Sequence, residues 1–397
     1  MVHIISYHSG EPRILIPEEE EQIDEEESKG QATPEQIKNG LELIGGFEKW
    51  DELIPDIRRQ VTKNLNIQDL SRLEACSIFD RDTVDATDVH VVSVAIHDCQ
   101  DEFSTFKREF SENEIVVNIR FHSDSFEEHH VVFSQDGENT LVKKAKKLKP
   151  YEYGMPEKVQ TTLNSTNHIE EAVKFAEKWI KKGKFELEKL VVNLKNYPCE
   201  GSAIEFLQNC RDLQVKSNDQ KVISWWLRRA PEQINRLHLM RYDNREHFDG
   251  KLDADVGNHT VSTMVYDAVN FDVFQFIQNW ASGLLSDSFD ILKLISKDVR
   301  PNIGISGPNV VPWRSEEFKN EKKAYALMMR FYQQGLSFGY TSFQVYSFCN
   351  PYDSVTVCLS AHEVYVVRTG RKTYVDGEPR MEYFLPDDFE WCIGTAH

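Results

Sequence analysis

Between His168 and Ile295 the apolar residues switch repeatedly between a helical and a strand period, and this rhythm constrains the fold more than any other feature of the chain. Ala172, Phe175, Ala176, Trp179 and Ile180 follow helical spacing and stop at Gly183. Leu187–Val192 then reads as a strand. A second helix over Gln220–Ala230 carries Val222, Ile223, Trp226 and Leu227, ends at Pro231, and precedes the alternating Ile234–Met240. A third holds Phe276, Ile277 and Trp280, stops near Gly283, and leads into Phe289–Ile295. Trp179, Trp226 and Trp280 each precede an aliphatic strand residue (Leu190, Leu237 and Ile291) by 11 positions, while the Trp-to-Trp separations of 47 and 54 make the repeat irregular. Helix-then-strand units taken in series predict an α/β stack on a curved, largely parallel sheet, similar to leucine-rich repeats. Each Trp is expected to anchor the core.

Upstream, period-2 alternation dominates. Val92, Val94 and Ile96, then Val117, Ile119 and Phe121, then Val131 and Phe133, predict a small antiparallel meander with a turn at Asp136-Gly137. Lys143, Lys144, Lys146, Lys147 and Lys149 follow, as a solvated face or a basic docking or nuclear-targeting patch. Downstream, a Gly/Pro-rich loop spans Pro301–Pro312 and a helix is expected around Glu316–Gln334. Strands are expected over Ser342–Phe348, Val355–Leu359, Glu363–Arg368 and Met381–Leu385, with turns at Thr369-Gly370 and Asp376-Gly377 and a closing strand at Phe389–Trp391. At the other end, residues 18–27 hold eight acids and are expected to form a disordered tail.

The stretch Trp50–Asp85 has a different character. Ile57, Val61 and Leu65 recur every four residues behind Pro55, a good helix start, and Leu70 and Leu73 follow after a turn over Asn66–Asp69. Two such short helices bury too little surface to be stable alone and make sense as half of a shared core. Pro55, Ile57, Val61, Leu65, Asp69-Leu70, Leu73 and Cys76-Ser77 together resemble an F-box, the module that docks substrate receptors on the Skp adaptor of a cullin ubiquitin ligase. The family usually places two residues between the proline and the first helical aliphatic; here Asp56 alone intervenes. The resemblance implies that Leu53, Pro55, Ile57, Val61, Leu65, Leu70 and Leu73 supply the adaptor-binding core. It leaves open which of them pack internally.

The remainder resembles the F-box-associated region of the large nematode F-box families, through Phe175, Trp179 and Gly183, their echo at Phe276 and Trp280, and the closing Phe389–Trp391. In those families this region is taken to hold the degradation target. The implied organisation is an acidic tail (1–45), a helical F-box (46–88), a meander with a basic connector (89–155) and a repeat domain as target platform (156–397), a mixture of α+β and α/β. The function implied is substrate recognition for a Skp–cullin–F-box ligase. The alternative is a ligase-independent interaction scaffold with a degenerate F-box.

Other classes find little in the sequence. A formal charge of −19 opposes binding to a nucleic-acid backbone. Seven scattered cysteines without C-x-x-C spacing favour reduced thiols in cytosol or nucleus over a zinc or disulfide framework. No signal-peptide pattern and no apolar run of membrane-spanning length is present, so a soluble protein with no membrane partner is expected. There is no G-x-S-x-G elbow, phosphate loop or H-E-x-x-H helix, so no catalytic residue, metal site or cofactor is assigned. His129 and His130 are neighbours on a strand and point to opposite faces, while His97 and Cys99 share a face without further ligands.

Overall fold

In a computed structural model the described residues are 50, 52–63, 65, 67–87, 90–98, 114–121, 128–146, 159–183, 185–241, 255–267, 272–285, 289–295, 307–312, 341–359 and 363–394. The acidic run, Cys99, Lys147, Lys149 and the helix expected around Glu316–Gln334 lie outside them. The chain divides into two compact units, Met1–Ala86 and Thr87–His397.

The described residues of the first unit form three helices, α1 (Pro55–Lys63), α2 (Ile67–Cys76) and α3 (Ile78–Asp85). Pro55 takes the first helical position, where its missing N–H costs nothing. Leu70 and Val84, each 1% exposed, form the unit's apolar interior.

The described residues of the second unit form a mixed α/β fold around a sheet of 15 strands. An antiparallel meander comes first: β1 (Val91–Asp98), β2 (Glu114–Phe121), β3 (Glu128–Asp136), β4 (Asn139–Lys146) and β5 (Val159–Leu163). Then come α4 (His168–Lys182), β6 (Lys189–Asn193), β7 (Asp212–Lys216), α5 (Gln220–Leu227), β8 (Gln233–Met240), β9 (Thr260–Asp267), α6 (Val273–Ala281) and β10 (Ile291–Ile295). The chain ends with β11 (Val310–Pro312), β12 (Thr341–Tyr346), β13 (Ser354–Leu359), β14 (Glu363–Val375), β15 (Glu378–Tyr383) and α7 (Phe389–Gly394). The strand order is β11-β12-β13-β14-β10-β9-β8-β7-β6-β1-β2-β3-β4-β5, with β15 paired to β14. β1 pairs antiparallel with β2 and parallel with β6, so meander and helix–strand region share one sheet.

β1 and β6 to β10 all run parallel. Val94, Leu190, Leu213, Leu237, Met264 and Leu292 stand in one row across them, every one buried. The row corrects the expected repeat at its last unit. Leu292 takes the place equivalent to Leu190 and Leu237, while Ile291 points to the opposite face and joins Tyr365, Val367 and Phe389 in a second cluster. Trp179, Trp226 and Trp280 are buried. Each of their helices starts on a side-chain cap, from Asn167, Asp219 and Asp272 respectively. Helix α4 lies on the meander through an edge-on contact of Trp179 with Phe121 (5.4 Å) and a tilted one of Phe175 with Phe133 (5.7 Å). It ends at Gly183, where a Cβ would stand 2.7 Å from that of Val91.

Several local expectations are overturned. The turn expected over Asn66–Asp69 gives way to α2, which starts at Ile67, and the loop expected over Pro301–Pro312 ends in strand β11. Phe389–Trp391 is the start of helix α7, not a strand: Pro386 removes a ladder donor just before it, and the Cys392 N–H bonds to the Asp388 carbonyl at 3.0 Å. Thr369-Gly370 lies inside β14 rather than in a turn. Gly370 faces Ser354 and Met381 too closely to admit a Cβ, so it serves strand packing. Val92 is not on the core face, because a register shift between Val91 and Ser93 moves burial to Val91, Val94 and Ile96.

Candidate docking surface

Helix α1 is amphipathic, but its polar stripe faces inward. Thr62 is fully buried and Arg58 only 6% exposed, whereas Ile57 and Val61 are 41% and 44% exposed and Ile54, just ahead of the helix, is 62% exposed. Ile54, Ile57 and Val61 recur at three and four residues, so they form one solvent-facing apolar stripe. A surface helix in a self-sufficient unit turns such a stripe toward its core.

The buried side is held by unusual means. Thr62 donates its hydroxyl to the Arg58 carbonyl at 2.8 Å. The Arg58 guanidinium lies 3.8 Å from the centre of the Phe79 ring, and among the described residues its Nε and Nη1 have no hydrogen-bond partner. Phe79 remains 40% exposed and its neighbour Ile78 75% exposed, so α3 adds apolar surface of its own. Ser77, of the Cys76-Ser77 pair, proves with Asp80 to be the device that starts α3. The Asp80 N–H bonds to Ser77 Oγ at 3.0 Å, while the Ser77 hydroxyl donates to Asp80 Oδ2 at 2.6 Å. The Asp80 carboxylate is buried and accepts a second bond, at Oδ1, from Trp50 Nε1 at 2.7 Å. Trp50 is thereby tied to the start of α3, a long-range role that period counting gives no sign of.

The seven residues implied by the F-box resemblance separate into three groups. Pro55, Ile57 and Val61 are exposed; Leu53, Leu65 and Leu73 are half-buried; Leu70 is interior. Ile54, Ile78 and Phe79 share the exposure of the first group and were not in the expected set.

The second unit holds a cleft of about 780 Å³ at the amino ends of the parallel strands. Arg120, Lys189, Arg211, Arg236 and Arg371 line it together with Glu188, Asp212, Asp290, Asp387 and Asp388. Among the described lining residues five cations and five carboxylates cancel, and most are engaged with each other. Arg236 bonds Asp388, Thr263 donates to Asp388 at 3.1 Å, Lys189 and Arg236 flank Asp212 at 3.6 and 3.7 Å, and Arg371 pairs with Asp290. Burial raises the pKa of both Asp212 and Asp290 in spite of those cations. The network straps the segment before α7 to the sheet and carries no net charge to attract an ion. Among the described residues no group of three His, Cys, Asp or Glu side chains is placed to hold a metal ion. No described helix is long and apolar enough to cross a membrane.

No family model matches the chain, and no solved structure does. An uncharacterized F-box protein of Caenorhabditis elegans is 25% identical over 393 residues, which cover 91% of this chain and 99% of the relative. The chain is therefore similar along nearly its whole length to a nematode F-box protein, and the resemblance drawn from the sequence holds.

Proposed function

We propose that the chain is a substrate-recognition subunit of a Skp–cullin–F-box ubiquitin ligase, docking on the Skp adaptor through α1 and α3 and presenting a target protein by way of the sheet unit. The observation that carries this reading is the solvent-facing stripe of Ile54, Ile57 and Val61 on a helix that buries Arg58 and Thr62 instead. An apolar stripe left in water is a cost that a partner removes, at about 1.5–3 kcal/mol for each aliphatic side chain fully covered. The nematode F-box relative supports the same family of functions. On this reading the protein performs no chemistry. It works in cytosol or nucleus by proximity, making ubiquitin transfer to the bound target effectively intramolecular.

Co-purification of the full chain with a Skp adaptor and cullin tests the proposal. Wild type is expected to retain both, and Ile57→Asp with Val61→Asp to lose both. Absence of the adaptor from wild type, or equal retention by the double variant, would sink it.

A further inference from the structure

We propose that the free edge of β5, with the groove beside it, binds an extended segment of a protein partner in which a carboxylate stands two positions from an apolar residue. The edge is the first observation. β5 ends the sheet, pairing with β4 and, among the described residues, with no other strand. Its sequence V-Q-T-T-L carries neither charge nor proline, the usual means of turning a further strand away, and Gln160, Thr161 and Thr162 are exposed.

The groove is the second. It has a volume of about 370 Å³, a floor of Val131, Phe133 and Val142, a wall from Phe175 of α4, and an open side at Thr161 and Leu163. Phe133, Val142 and Thr161 lie in one row across β3, β4 and β5. A residue set opposite Thr161 on an added strand continues that row, so its side chain reaches over the small threonine toward Val142 and Phe133.

Charge is the third. Among the described residues that line the groove, Lys144, Lys174 and Lys178 stand with one carboxylate, Glu171, which Lys174 already meets at 2.8 Å, so exposed Lys144 is the cation offered to a partner. Lys144 shares the sheet face of Val142 one row further along. It therefore meets the residue two positions from the apolar anchor. Backbone bonds along β5 supply affinity without sequence demand, and the groove and its lysines supply selection. The site deepens the receptor reading by assigning the target this chemistry, and it rests on that reading only for the biological role.

The probe is the fluorescein-labelled peptide Thr-Glu-Thr-Phe-Thr-Glu-Thr, blocked at its C-terminus, titrated with the full chain by anisotropy beside a counterpart with lysine for glutamate. The acidic probe is expected to bind saturably and to weaken as salt rises. Lys144→Glu with Lys174→Glu replaces two lysines of the groove by carboxylates and is expected to cost about tenfold in affinity or more. Thr161→Trp, which fills the groove, is expected to do the same. No saturation up to about 1 mM, equal affinity for the lysine peptide, or salt-independent binding overturns the proposal. Salt and the two probes are read on wild type, so a variant that fails to fold leaves the test intact. The assay contains no adaptor: probe binding without Skp binding removes only the receptor reading, and the reverse removes only the groove.

Discussion

Replacing Arg58 by methionine isolates what an incompletely bonded, buried guanidinium does to the helical unit. Arg58 keeps 6% of its exposure, lacks partners at Nε and Nη1 among the described residues, and stacks 3.8 Å from the Phe79 ring centre. Leaving buried donors unmatched costs about 1–3 kcal/mol, and stacking on the ring returns about 0.5–2 kcal/mol. The balance is roughly 1 kcal/mol against the native residue. Methionine keeps the length and the ring contact and removes the donors, so Arg58→Met is expected to stabilise the unit by roughly 1 kcal/mol, about a fivefold slowing of amide exchange. Arg58→Ala also loses the aliphatic stem and is expected to destabilise it by roughly 1–2 kcal/mol. Hydrogen exchange read by mass spectrometry over residues 55–85 separates this unit from the sheet. Faster exchange in Arg58→Met than in wild type would refute the reasoning.

Three further outcomes follow from the packing. Asp80→Ala strips the acceptor from Trp50 and Ser77 and is expected to cost about 1–3 kcal/mol, seen as faster exchange across α3; unchanged exchange there would show the cap to be idle. Trp226 is fully buried against Tyr197 and Trp225, so Trp226→Ala is expected to lose about 3–5 kcal/mol in urea unfolding of the sheet unit, and a loss below about 1 kcal/mol would contradict its place in the core. Burial pushes the thiols of Cys210, Cys358 and Cys392 up to about 12, whereas unfolded thiols ionise near 8.5. Their folded pKa being raised, the stability is complete below pH ~8.5 and falls at higher pH by about 1.4 kcal/mol per unit for each thiol. Urea midpoints that stay level between pH ~8.5 and ~10 would exclude this.

What the sequence makes legible is what a period can encode. The stripe of α4 and the caps Asn167, Asp219 and Asp272 locate helices directly. β7 and β9 escape, because D-L-Q-V-K is short and half polar and its neighbour Leu207–Arg211 gives no helix to set the rhythm; the β6–β7 connection instead rests on Glu177, which accepts from Tyr197 Oη at 2.9 Å and the Ala203 N–H at 3.2 Å. α7 hides because a few apolar residues suit either period, and only Phe389 and Cys392 reaching the same cluster decide for a helix. The docking stripe is the clearest limit. Spacing at three and four residues finds Ile57 and Val61, yet the period is the same whether a stripe faces core or water. Only the placement of Arg58 and Thr62 gives the direction.

Oxidative side-chain footprinting of the full chain, with and without saturating Skp adaptor, tests that direction where it matters. In the free chain Ile57 and Val61, 41% and 44% exposed, are expected to label readily while Leu70, at 1%, resists. Adaptor binding is expected to protect Ile57 and Val61, together with Ile54 and Phe79, and to leave Leu70 unchanged. Adaptor bound with Ile57 and Val61 labelled as in the free chain would contradict the docking assignment.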